Sequence, residues 1–339
     1  MATSENNTTT NQNEEFLTEG SAADSNNTTS SIQRMKRDVK RYMTSKHPKL
    51  PVLELLACIT FALVIKYGNL FLWSAHERPI PYQVTSQGDV ILDFSLMEKD
   101  NGVDVPTEKN YVICLLGPVI CFIAFSNLLP SASYFAPYGD LHCSSCVLSV
   151  AFGLDSLICD PMKRYVGRLR PVFYDYCNFN VDTLECEKDD FTEARYSFPS
   201  GHTHVAFTCM TVLTLYLLGK ANAISKTREE QSKNEFKSKI LILLSLSPML
   251  YAFYIGDMVI VCNWHFPSDV IAGALIGSIC ALTSYHIWYH PVYSDKAGTP
   301  LRNYDYGSGN SYLSVAYLAY GEDNEMTENI LARNASENL

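Results

Sequence analysis

Six long apolar runs, separated by polar segments, decide what this chain can become. They read PVLELLACITFALVIKYGNLFLW (51–73), YVICLLGPVICFIAFSNLL (111–129), CSSCVLSVAFGLDSLIC (143–159), HVAFTCMTVLTLYLLG (204–219), ILILLSLSPMLYAFYIGDMVIV (240–261) and VIAGALIGSICALTSYHIW (270–288). Each approaches the roughly 20 residues that a helix needs to cross a bilayer core, the third and fourth being short by that measure. A bilayer admits only helices or closed barrels, and none of the runs alternates with period two. The expected fold is therefore all-α: a polytopic membrane protein with about six transmembrane helices in a bundle. A mean hydropathy of -0.03 hides this, because apolar and polar residues are segregated into blocks.

The flanks divide the chain into three. Residues 1–49 read as a polar tail, disordered to about residue 32 and then basic (Arg34, Lys36, Arg37, Lys40, Arg41, Lys46, Lys49). Residues 50–290 form the membrane domain and 291–339 a second tail. No apolar core lies near Met1, so no cleavable signal peptide is expected. The basic N-terminal segment and the basic linker between the fourth and fifth runs are separated by an even number of crossings. By the positive-inside rule both face the cytosol, with both termini. The loops after the first, third and fifth runs then face the exterior or an organelle lumen, in the plasma membrane or an endomembrane. A net charge of -10 argues against a nucleic-acid partner. Membrane lipids are the expected partners, and self-association into a homo-oligomer is left open.

Charges and cysteines inside the apolar text need separate reasons. Glu54 and Lys66 lie near run ends, where long side chains snorkel. Asp155 and Asp257 are functional flags by default, because charge within a bilayer is costly. Cys143 and Cys146 have the CxxC spacing but no partner pair, which argues against a metal site. Cys177 and Cys186 lie in a loop placed outside the cytosol, where a disulfide between them is compatible with the compartment.

Three segments fall on that same non-cytosolic face. KRYVGRLRP (163–171) puts at least four cations at a membrane surface, against the usual charge trend. Arg meets phosphate with a planar fork of donors and Lys as a point charge, although a headgroup anchor has the same composition. PSGH (199–202) reads as a helix start: Ser200 caps, Gly201 admits close approach, and the exposed N–H groups of Gly201 and His202 suit an anion. HFPSD (265–269) pairs His265 with Asp269 four residues on, one helical turn away. A carboxylate on one imidazole nitrogen fixes the tautomer and frees the other nitrogen as a nucleophile or base. Cations, a nucleophile and an acid are what cleavage of a phosphomonoester requires. No metal or other cofactor is needed, although His202, His204 and His265 would also offer zinc ligands.

These motifs, KxxxxxxRP, PSGH and HxxxD, resemble those of the lipid phosphate phosphatases, or type 2 phosphatidate phosphatases, over roughly residues 50–290. YVGRLRP, YSFPSGHT and HFPSDVIAG are similar to the animal branch. The resemblance implies that His265 attacks phosphorus and forms a phosphohistidine, Asp269 supports it, and His202 protonates the departing lipid oxygen. Lys163, Arg170, Ser200 and the Gly201 backbone would hold the phosphate, without Mg²⁺. Implied substrates are phosphatidate, lysophosphatidate, sphingosine 1-phosphate and ceramide 1-phosphate. One departure matters: the family's third motif begins Ser-Arg, where this chain has Met258 and Val259 behind Asp257. That loss raises a second expectation, a weak or inactive relative that binds lipid phosphates or partner proteins, with Arg164, Arg168 and Arg195 as candidate substitutes. A third is transfer of the phosphoryl group to another alcohol.

Overall fold

A computed structural model describes residues 49–301, apart from residues 75, 101, 103–106, 129–136, 222–223, 225–227 and 295. Almost all of both tails therefore lies outside the described residues. Lys49–Ala124 and Gly139–Asn303 form one compact unit. The second unit, Met1–Pro48, Phe125–Tyr138 and Tyr304–Leu339, adds only the last turn of one helix and the first two residues of the next to what is described.

Among the described residues the helices are α1 (Lys49–Leu72), α2 (Thr107–Leu128), α3 (Pro137–Val166), the short α4 (Phe173–Cys177), α5 (Gly201–Ala221), α6 (Arg228–Ser245), α7 (Ser247–Val261) and α8 (Pro267–Trp288). Six stretches within them are long and apolar enough to cross a membrane, with α6 and α7 sharing one, Phe236–Val261. Among the described residues the strands are confined to two short hairpins, β1–β2 (Tyr82–Val84 with Val90–Leu92) and β3–β4 (Phe179–Asn180 with Glu185–Cys186). The chain is an all-α polytopic membrane protein.

Burial divides the spans. The α5 span is 83% buried and the α1 span 17%. Leu53, Val64, Ile120, Leu250, Ile271 and Ile279 point outward from the peripheral helices. In water such a surface would aggregate; in a bilayer the acyl chains cover it. Helices in lipid gain by close backbone contact, which small residues permit. On α8, a methyl group at Gly273 would come within 3.0 Å of the Ser200 carbonyl oxygen, and one at Gly277 within 2.5 Å of the His204 carbonyl oxygen. These two glycines set the depth at which α8 seats against α5.

Several charges within the spans are paired. Lys66 donates to Asp160 at 3.0 Å, and Glu54 accepts from the Trp288 indole at 3.0 Å. Asp155 bonds to His204 Nδ1 at 2.5 Å, tying α3 to α5. At one end of the bundle Asp140 accepts from Lys220 (2.6 Å), Tyr216 (2.8 Å) and Tyr289 (2.8 Å).

Two elements differ from the sequence reading. The third span is a 30-residue helix that runs on through Lys163, so this lysine sits in its last turn rather than in a loop. The fifth run is broken at Leu246, where Pro248 opens a new helix, and α6 extends back into the basic linker. Outside the spans, Leu96, Leu169, Phe173, Tyr174, Cys177 and Ala194 make a small core of their own. Cys177 and Cys186 are joined by a disulfide at its edge.

Candidate active site

The site lies at the end of the bundle opposite Asp140, where α3 stops and where α5 and α8 start. Helix α3 ends because Gly167 adopts φ +56°, and any side chain there would collide with the His76 carbonyl. The orphan carbonyls of its last turn are taken by the residues after α1: His76 N–H donates to Arg164 O at 2.9 Å and Arg78 Nε to Val166 O at 2.7 Å. Lys163 is thereby aimed at the start of α5, its Nζ 2.7 Å from where a Cβ on Gly201 would stand. Only glycine leaves room for that ammonium beside the backbone.

Arg170 is 3% exposed, and every nitrogen of its guanidinium is engaged. Nε donates to Glu193 O (2.7 Å), Nη2 contacts the Glu193 carboxylate (3.4 Å), and Nη1 lies 3.4 Å from both Trp264 O and His265 Nε2. The Trp264 ring packs against it at 4.5 Å, a cation–π contact. Burial pushes its pKa down to about 10, which leaves it cationic at neutral pH.

Ser200 is fully buried directly before α5. Its N–H donates to Asp269 O (3.1 Å), and its hydroxyl shares a hydrogen bond with Thr203 (2.8 Å). His202, in the first turn, lies within electrostatic reach of Lys163, Arg170 and His265. His204 turns away toward Asp155, so the three histidines do not converge. Among the described residues, the one His/Cys/Asp/Glu group close enough to share an ion is Asp155, Cys159 and His204, inside the bundle.

His265 is 2% exposed. Its backbone N–H, like that of Trp264, donates to Val259 O at the end of α7 (3.1 and 3.2 Å). Burial first, then the neighbouring charges of Arg170 and Lys163, hold its pKa well below the ordinary histidine value. The imidazole is therefore neutral, with Nε2 facing Arg170. Its Nδ1 partner is the Ser197 carbonyl at 2.6 Å, whereas Asp269 Oδ2 stands 3.7 Å away. The four-residue spacing suggests that the two residues share one helical face. In fact α8 begins at Pro267, and His265 lies one residue ahead of the N-cap Phe266. Asp269 caps that helix by accepting from Phe266 N–H (3.1 Å), and it also accepts from the Ser197 hydroxyl (2.5 Å) and Arg168 (2.6 Å).

Lys163, Arg170, Ser200, Gly201, His202, His265 and Asp269 thus come together, while Cys177 and Cys186 belong to the outer core. Sequence reasoning missed Ser197, whose carbonyl meets His265 Nδ1, and Glu193, which meets Arg170 from a short 3-10 helix (Thr192–Arg195); neither carries a motif signal. Of the three candidate substitute arginines, only Arg168 reaches the site, and it does so through Asp269. Arg164 donates to Trp73 O (3.2 Å) and Arg195 to Arg78 O (2.6 Å). Val259 is fully buried and supplies no charge.

Comparison with known proteins places these residues in context. A sequence model of the PAP2 superfamily matches residues 144–292, which hold all three motifs. Lipid phosphate phosphatase 2 of Arabidopsis thaliana is 33% identical over 223 residues, 62% of this chain and 71% of that protein. Lipid phosphate phosphatase 1 of the same plant is 32% identical over 221 residues, and the match spans only 62% of its length. No solved structure matches significantly.

Proposed function

Because the chain belongs to the PAP2 superfamily, we propose that it is an integral membrane phosphatase that hydrolyses lipid phosphomonoesters through a phosphohistidine. The observation that carries this reading is the neutral His265 Nε2, set 3.4 Å from Arg170 in a cluster that also holds Lys163 and the start of α5. A neutral imidazole has the lone pair that a nucleophile needs, and the surrounding cations draw the phosphate to it.

In the first step Nε2 bonds to phosphorus and the bond from phosphorus to the lipid oxygen breaks. His202, entering the step as imidazolium, gives that oxygen its proton and is left neutral. In the second step water attacks phosphorus, His202 takes the water's proton, and inorganic phosphate leaves with His265 restored. Lys163, Arg170, the Ser200 hydroxyl and the Gly201 N–H balance the equatorial oxygens throughout. No step is routed through a metal. Phosphatidate, lysophosphatidate, sphingosine 1-phosphate and ceramide 1-phosphate share the headgroup this site fits. Charge distribution favours a site open to the exterior or a lumen, with both termini cytosolic.

The test is phosphate release from phosphatidate and lysophosphatidate in detergent micelles with EDTA. Release by the natural chain that disappears in His265→Ala is the expected result. A second reading, a weak or inactive relative that binds lipid phosphates, is favoured by the buried Val259 in place of a phosphate-binding arginine. Release from neither protein, both confirmed folded, would select it.

A further inference from the structure

We infer that Ser197 is a positioning residue through which Asp269 holds the nucleophile, with no direct bond between the carboxylate and the imidazole. This rests on the reading of His265 as nucleophile.

The separation of 3.7 Å between Asp269 Oδ2 and His265 Nδ1 is beyond a hydrogen bond, and the carboxylate is already committed. Oδ1 accepts from Arg168 at 2.6 Å, and Oδ2 accepts from the Ser197 hydroxyl at 2.5 Å and from Phe266 N–H at 3.1 Å. Arg168 is held over the Phe266 ring at 4.1 Å and also donates to Ser268 (2.8 Å), so its charge stays on Asp269.

Ser197 itself is fully buried and fixed through all three of its polar groups. Its N–H donates to Arg168 O (2.9 Å), its hydroxyl to Asp269, and its carbonyl accepts from His265 Nδ1 (2.6 Å). A carbonyl can only accept. Nδ1 must therefore carry the proton, and Nε2 keeps its lone pair toward Arg170. Asp269 also grips the same segment at its far end, where its main-chain oxygen takes the Ser200 N–H at 3.1 Å. One aspartate thereby sets both the angle of the nucleophile and the residue that opens the phosphate-binding helix end. When the ring becomes cationic on attack, the Ser197 carbonyl dipole is the group directly against it.

The experiment is a double-mutant cycle on kcat and KM for phosphate release, each variant first checked for folding by thermal melting in detergent. Ser197→Ala keeps the carbonyl but releases it from Asp269, and kcat is expected to fall about 10²-fold with KM within about twofold. Ser197→Thr, which keeps the hydroxyl, restores most of kcat. Asp269→Asn lowers kcat similarly, and the double variant is no slower than the worse single one, because both act along one path. If Ser197→Ala does not fold, Ser197→Cys keeps the shape with a weak donor and is expected to lose a comparable factor. Losses that multiply in the double variant, or a kcat unchanged in Ser197→Ala or Ser197→Cys, overturn the inference alone. A natural chain no more active than His265→Ala overturns it together with the phosphatase reading.

Discussion

His265 is buried beside two cations, and these surroundings fix the sign of its pH response. The unfolded chain binds a proton there below about pH 6.5, while the folded site, depressed by burial and by Arg170 and Lys163, does not. Stability is thus full above that pH and is lost as pH falls below it, by at most about 1.4 kcal/mol per pH unit. Thermal melts between pH 7 and 5 are expected to show a shallower loss for His265→Asn than for the natural chain; equal slopes would contradict a depressed imidazole. Position 259 gives a second expectation. The Val259 carbonyl accepts from the backbone N–H groups of Trp264 and His265, so an arginine at this position would add charge next to the proposed phosphate site. Met258→Ser with Val259→Arg is expected to raise kcat by about 10²-fold, the scale of one preorganised donor. An unchanged kcat would mean that Lys163 and Arg170 already suffice.

At the scale of elements, the crossing of α5 and α8 is where a single methyl group matters most. Gly277→Ala would force its new methyl against the His204 carbonyl at 2.5 Å and the Thr208 hydroxyl at 2.7 Å, and is expected to cost about 1–3 kcal/mol. Gly117→Ala on α2 meets nothing within 4 Å and should be neutral or gain up to about 1 kcal/mol from helix propensity. Melting temperatures of the two variants in one detergent make the comparison. The same elements show what was legible beforehand. Six spans follow from apolar length alone, because lipid demands it. The extension of α3 through Lys163 does not: polar residues end an apolar run before they end a helix, and the stop is set by Gly167 against His76. The meeting of Ser197 with His265, 68 residues away, is a tertiary contact through a backbone oxygen, which no side-chain pattern encodes.

For the whole molecule, the motif-bearing ends of α3, α5 and α8 were legible as one group because the spans between them reverse direction in turn. Their convergence is a consequence of topology. Which side of the membrane they face rests on charge, and it can be checked directly. Intact cells supplied with lysophosphatidate in the medium are expected to release phosphate outside without taking the lipid up, provided the chain is at the cell surface. Hydrolysis that requires lysis would place the site inside. The outward-facing leucines and isoleucines of the peripheral spans carry a further consequence. Under the proposed phosphatase reading, a bundle coated in acyl chains, with its site at the ends of those spans, would meet a lipid substrate by diffusion in two dimensions. Its rate then follows the mole fraction of substrate in the surface around it. Adding inert detergent at constant total substrate should slow the reaction, and bulk concentration alone will not describe its saturation.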